Sequence, residues 1–366
     1  MKVGFVVNPI AGMGGAVGLK GTDGDKILHE ALARGAERVS SQRAEIALRA
    51  IKDRGLKVEF VTCSGDMGHK ALESVGLKGE VVCRTATPST SEDTVKAAKA
   101  FLTEKVDLIL FAGGDGTARD LLGVVGQQIP LIGIPSGVKM HSAVFAMTPD
   151  DVAGSMMSFC RAGKTREAEV MDVDEDRFRG GVLQAKLFGY AAVPDDADHV
   201  QSSKMTYHSG SAQDEREELG QYVSESIEEG IMYIMGPGST TESVAKSMGL
   251  KKTLLGVDIY KDCDILAEDV SESKILELLG LHRYARIIVS PIGAQGFILG
   301  RGNQQLSPRV LRKVGLQNLV VISTPTKLRS TPVLRVDTGD PELDESIRGR
   351  IKVLTGYKRK KLVRVQ

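Results

Sequence analysis

Short apolar runs alternate with amphipathic stretches over the first 150 residues of this chain. Strand-like runs fall at residues 2–7, 57–62, 80–84, 106–111 and 130–134. Between them lie helix-compatible stretches at 26–53, 67–75, 92–104 and 117–125. Ser91 reads as the N-cap of the third, with Glu92 and Asp93 in its first turn. Strands that are apolar on both faces, separated by helices, predict βαβ units around a buried parallel sheet. In such sheets ligands bind beyond the carboxyl ends of the strands, so the strand-to-helix loops are where chemistry is sought.

From about Arg166 the pattern changes. Runs at 169–173, 181–193 and 231–235 predict strands, and the polar stretch 197–229 predicts a long excursion or an exposed helix. Strands follow at 254–260, 286–290 and 319–322, with helices at 272–279 and 309–314. The basic run 358–361 reads as a solvated surface or, alternatively, an anion site. The chain is therefore divided here into an α/β domain, 1–150, and a β-rich domain, 151–366, whose tail is expected to return to the first.

Length and composition narrow the class. A chain of 366 residues suits two packed domains. Its 42% hydrophobic and 26% charged residues exclude wholesale disorder. With 48 basic against 47 acidic residues the net charge is +1, so no global field draws the chain to nucleic acid or to an anionic membrane. No apolar run is long enough to span a bilayer, and the N-terminus enters a strand pattern at once, without a signal-peptide core. The four cysteines (Cys63, Cys83, Cys160, Cys263) are too scattered in sequence for a zinc knuckle or a disulfide framework. A cytoplasmic protein is expected.

The most specific chemical signal is Gly113-Gly114-Asp115-Gly116-Thr117, between a strand and a helix. Glycines let the backbone approach a phosphate, and helix N-terminal amides supply donors and a favourable dipole. An aspartate among them can take a hydroxyl proton or hold magnesium between phosphates. A second loop, Gly236-Pro237-Gly238-Ser239-Thr240-Thr241, repeats the arrangement and reads either as an anion cradle or as a capped helix. The glycine-rich stretch 8–24 matches neither the dinucleotide nor the Walker pattern. It reads as a flexible loop or, preferred here, as a substrate loop carrying Asn8, Gly14, Gly15, Lys20, Thr22 and Asp23.

Four further sites are weaker. The hydroxyl-rich stretch 85–94, with Ser91, holds a phosphate or ribose or merely caps a helix. Lys139 and His141 follow the 130–134 strand, where a lysine would neutralise charge on a transferred phosphate. Arg301, Asn303 and Gln304 combine a guanidinium fork with amides and suit a ligand-facing loop. Asp337 and Asp340 bracket a turn.

The two glycine loops, in this order and spacing, resemble the NAD kinases, which share a superfamily with lipid kinases and phosphofructokinases. The resemblance covers most of the chain and is closest to the polyphosphate/ATP-NAD kinase-like group, whose hallmarks stand here at 7–24, 300–308, 336–340 and 352–357. It implies a Rossmann-like N-terminal domain, a β-rich C-terminal domain, a nucleotide site in the crevice between them, and magnesium. It implies transfer of the terminal phosphoryl of ATP, or of polyphosphate, to a hydroxyl of NAD, and a homo-oligomer. By the resemblance Asp115 is the catalytic or metal-linked aspartate. Gly113, Gly114, Gly116 and Thr117 contact phosphates, and Gly238, Ser239 and Thr240 hold the nucleotide.

Two departures bear on the acceptor. NAD kinases carry an Asn-Glu or Asn-Asp pair early in the second domain, whereas residues 191–196 here read AAVPDD. After the fifth strand the chain reads Pro135-Ser136-Gly137-Val138-Lys139-Met140-His141-Ser142 in place of the usual Asn-x-Gly-x-Leu-Gly-Phe-Leu. A nucleoside, polyol or sugar is thus the rival acceptor. A nucleotide-binding regulator without turnover is the rival from another class, and retention of Asp115 argues against it. A lipid kinase fits less well, because no basic amphipathic helix stands out.

Overall fold

The computed structural model describes residues 1–19, 25–137, 140–173, 185–196, 200, 210–292 and 295–366. The expected roles of Lys20, Thr22, Asp23 and Lys139 lie outside the described residues. The chain divides into two compact units, Met1–Gly14 with Lys20–Ser203, and Gly15–Leu19 with Lys204–Gln366.

The first unit is built on a five-stranded parallel sheet. Its strands are β1 (Lys2–Val7), β2 (Glu59–Cys63), β3 (Gly79–Cys83), β4 (Leu108–Gly113) and β5 (Leu131–Pro135), in the order β3-β2-β1-β4-β5. β4 and β5 are buried at every position, as the unbroken apolar runs predicted. On one face pack α2 (Val39–Asp53), α3 (His69–Ser74) and α6 (Asp151–Ala162), through Leu48, Ile51, Leu72 and Met156. On the other lie α4 (Ser91–Thr103), α5 (Asp115–Val125) and the antiparallel pair β6 (Thr165–Val173) and β7 (Ala185–Pro194). A Cβ on Gly4 would stand 2.7 Å from the Phe101 ring, so glycine in β1 is what lets α4 seat its aromatic on the sheet.

Details of the sequence reading change here. The single helix expected at 26–53 is two, α1 (Asp25–Ala33) and α2, because Gly35 turns left-handed (φ +79°) and the Ala36 amide closes back on Ala31 O at 2.9 Å. The N-cap of α4 is Thr90, one residue before Ser91, in a capping box with Asp93. Cys63 and Cys83, remote in sequence, are register partners on β2 and β3, both free. Helix α6 and the β6–β7 pair fall in the first unit, past the break expected at 150.

The second unit carries a nine-stranded mixed sheet. Its parallel centre is β8 (Met232–Met235), β11 (Ala285–Val289), β13 (Leu319–Ile322) and β15 (Gly349–Gly356). β9 (Asp258–Lys261) and β10 (Asp264–Ala267) extend one edge. β16 (Arg359–Val365), β14 (Val333–Val336) and β12 (Phe297–Leu299) extend the other. One face is covered by α7 (Gly210–Ser224) and α8 (Ser239–Ser247). The other is covered by α9 (Glu272–Leu281), α10 (Pro308–Val314), α11 (Pro325–Ser330) and α12 (Pro341–Ile347). Helix α7 is the exposed helix predicted in the polar stretch, burying Leu219 and Val223. The C-terminal tail, expected to return to the first domain, pairs as β16 inside this sheet, because alternate apolar residues Val363 and Val365 reach the second unit's core. Residues 358–361 are exposed at the hairpin turn and the start of β16.

Candidate functional site

In the order β3-β2-β1-β4-β5 the connections diverge between β1 and β4, and that switch point is where an open parallel sheet forms its ligand crevice. Asn8 follows β1 there, and Gly113 to Thr117 join β4 to α5. The Asn8 Nδ2 donates to Thr117 Oγ1 at 3.0 Å, joining residues 109 positions apart, and its Oδ1 accepts from the Ile10 amide at 3.2 Å. The Ser40 hydroxyl from α2 donates to Asn8 O at 2.6 Å. Gly113 lies against Thr117, for a Cβ on it would stand 2.5 Å from Thr117 Oγ1.

Asp115 opens α5, where the dipole favours a carboxylate. It is 9% exposed. Its Oδ2 accepts from the His141 amide at 2.7 Å and its Oδ1 from the Ser142 amide at 2.9 Å. The loop after β5 thus fixes the orientation of the carboxylate through backbone donors, and His141 enters through its amide. The same loop is anchored by the Ser136 amide, which donates to Gly113 O at 3.0 Å, and by Arg43 Nε, which donates to Pro135 O. A Cβ on Gly137 would stand 3.1 Å from Gly114 Cα, so two glycines let the β4 and β5 loops approach. Gly116 continues the first turn of α5.

The other expected residues are dispersed. Ser91 is exposed in the first turn of α4, after the edge strand β3, away from the switch point. Gly14 ends the first segment of the first unit, and Gly15 begins the short segment assigned to the second. In the second unit Gly238 caps α8 at φ +119° with open space where a Cβ would be. Ser239 is exposed and Thr240 buried. Thr241 braces the loop, its hydroxyl hydrogen-bonded to Gly236 O and Gly238 O at 2.7 and 2.8 Å. Arg301 is buried beside Asp337 at 3.5 Å and over the Phe297 ring at 4.3 Å. Asn303 Nδ2 donates to Ile298 O, while its buried Oδ1 and Gln304 Oε1 meet no donor among the described residues. A Cβ on Gly15 would overlap Gln304 Oε1, at 1.3 Å. Asp340 caps α12, so the turn at 337–340 is a helix start.

Sequence reasoning missed Arg43, Ser40, Ser136 and Ser142. Their contributions run through backbone atoms or lone side chains with no motif around them. It also passed over Lys252 and Asp258, a fully buried pair 3.6 Å apart behind the second glycine loop, where burial holds the lysine below its usual range.

Residues 3–164 match the family model for the ATP-NAD kinase N-terminal domain, and residues 228–365 match that for the ATP-NAD kinase C-terminal domain. No curated protein and no solved structure matches. Among the described residues no helix is long and apolar enough to cross a membrane. The two models together span well over half of the sequence, in the order the two glycine loops require, and the chain belongs to the ATP-NAD kinase family, as an ATP-dependent kinase.

Proposed function

We propose that the protein transfers the terminal phosphoryl of ATP to a hydroxyl of NAD, giving NADP. The observation that carries this reading is Asp115, a carboxylate at a helix N-terminus on the switch point of the sheet, oriented by two amides at 2.7 and 2.9 Å. On this reading the Asp115 carboxylate, held in orientation by those amides, receives the proton of an acceptor hydroxyl as it attacks phosphorus. The amides at the start of α5 carry charge on the transferred group, and Gly238, Ser239 and Thr240 bind nucleotide phosphates.

Magnesium suits this site as an ion that arrives with the nucleotide. Among the described residues no group of three or more His, Cys, Asp and Glu side chains forms a cage. Magnesium in such enzymes takes one or two carboxylates together with substrate phosphates, and Asp115 is the carboxylate in place. When bound, the ion neutralises phosphate charge.

A second acceptor class, a nucleoside, polyol or sugar, is favoured by one observation. The stretch 191–196, the nearest counterpart of the asparagine-carboxylate pair of NAD kinases, has no asparagine, and its Ala191 and Val193 are buried in the core of the first unit. The test supplies ATP and magnesium with NAD or with a panel of nucleosides and polyols. NADP from the native protein, reduced about 10²- to 10⁴-fold in Asp115→Asn, is the expected result. ATP consumed only with another acceptor would transfer the assignment to the second class.

A further inference from the structure

Lys327 is a cation that none of the motifs uses. It lies in α11, just beyond the carboxyl end of β13, and is partly exposed. Its ammonium donates to the Ser290 hydroxyl at 3.3 Å, and Ser290, 2% exposed, is the first residue beyond β11. Among the described residues no carboxylate stands against it. Burial pushes the amine down to about 8, and the Arg216 guanidinium of α7 acts in the same direction. Among the described residues, the other charged groups bonded at α11 are Glu215 of α7 and Arg329 of α11 itself. Glu215 is engaged by the Thr326 amide and hydroxyl at 2.9 and 2.8 Å and by Arg329 at 3.8 Å. A partly buried ammonium with a neutral hydroxyl for company gives up hydration without gaining a counter-charge.

Its position indicates what it is kept for. Ser290 and Lys327 stand at the carboxyl ends of neighbouring parallel strands, the end at which such sheets bind ligands. The adjacent strand β8 leads into the second glycine loop. The Gly236 amide donates to Ile288 O at 2.9 Å, and a Cβ on Gly236 would stand 3.2 Å from Val289, the residue before Ser290. From there Gly238 opens α8, whose first amides have no acceptor within the helix.

We infer that Lys327 and Ser290, with the 236–241 loop beside them, form a phosphate-binding site in the second unit, the lysine supplying the counter-charge to a nucleotide's phosphate group. The inference rests on the proposed function for the nucleotide nature of the anion. The shared chemistry is a phosphate anhydride, which both ATP and NAD carry.

The test is calorimetric titration of the full-length native protein, Lys327→Met and Lys327→Arg with magnesium-free ATP, NAD and pyrophosphate. It is run at pH 7 and pH 9, in buffers of different ionisation heat. An anion favours the ammonium, so the native protein takes up a proton on binding at pH 9 and little at pH 7. Lys327→Met is expected to bind about tenfold weaker or worse at pH 7, without proton uptake at pH 9. Lys327→Arg is expected to recover part of the affinity without the uptake. The unliganded Lys327→Met protein is expected to melt no lower than the native one, because an uncompensated cation has gone. The ATP and NAD arms identify whose phosphate is held. Native affinity and native proton uptake in Lys327→Met for all three probes would overturn the inference, and a lowered melting temperature with unchanged binding would make the lysine structural. Proton-linked binding that persists where no NADP forms would leave this site standing and remove only NAD as acceptor.

Discussion

At the scale of single residues, the first glycine stretch reads as more than a flexible loop. Gly12 sits at φ +78°, and a Cβ on it would stand 1.9 Å from the backbone oxygen of Ser136. The obstacle is main chain belonging to the loop that orients Asp115, so no side-chain rotation relieves it. Gly12→Ala is therefore expected to destabilise the first unit by about 3 kcal/mol, combining left-handed strain with a forced shift of the β5 loop. Chemical denaturation measures the loss. A variant within about 0.5 kcal/mol of native would show that the Ser136 loop moves without cost. Gly113 presents the contrasting case, for its nearest obstacle is the Thr117 side chain. The residue scale is also where the site was least legible. Asp115 stood out because its glycines are contiguous with it. The amides of His141 and Ser142 that hold it carry no signature of their own, and the Asn8–Thr117 bond joins positions that only the sheet brings together.

Among elements, the longer apolar runs were the legible ones. β1, β4 and β5 are such runs and are found within two residues of their predicted bounds, whereas β12, equally buried, is three residues long and was missed. The strands β15 and β16 were missed because they alternate apolar with basic residues and face solvent on one side. Helices α11 and α12 were missed although each opens with the same device as α10. A capping Ser307, Thr324 or Asp340 is followed by proline in the first turn. In α12 the cap also makes a pH-dependent contribution. The Leu343 amide and, beyond it, Arg312 at 2.6 Å hold the Asp340 carboxyl below the usual carboxylate range. A carboxyl with a depressed folded-state pKa stabilises above its unfolded value, and that stability is lost as pH falls through the acid range below about 4. Asn caps nearly as well as Asp but cannot ionise. Asp340→Asn is expected to cost about 1 kcal/mol or less at neutral pH, since Arg312 is half exposed, and to approach native stability near pH 3. A deficit that stays constant from pH 7 to pH 3 would show that the loss lies in packing and not in charge. Asp344, on the same helix, has the opposite sign, burial pushing its carboxyl up despite the Thr338 hydroxyl and amide.

For the molecule as a whole, the kinase family was legible because the two glycine loops, in their order and spacing, carry the resemblance that the family models bear out. The acceptor was not legible, because acceptor recognition is a matter of side-chain shape spread over the chain. Binding linkage reads it without any assumption about catalysis. A ligand that binds the folded protein alone raises stability by RT ln(1 + [L]/Kd), about 2.7 kcal/mol at a hundredfold excess over Kd. NAD and ATP, each in such excess, are therefore expected to raise the melting temperature by several degrees, while nucleosides and polyols lacking a pyrophosphate have little effect. Asp115→Asn is expected to keep most of the ATP shift, because under the proposed function the phosphates are held by backbone amides, to which the further inference adds the charge of Lys327. The comparison separates three states of knowledge. Shifts with NAD and ATP together with NADP formation establish the kinase reading. A shift with ATP and with a polyol, but none with NAD, points to the second acceptor class. Shifts with both nucleotides and no product from any acceptor would leave the nucleotide-binding regulator, despite the aspartate poised at its switch point.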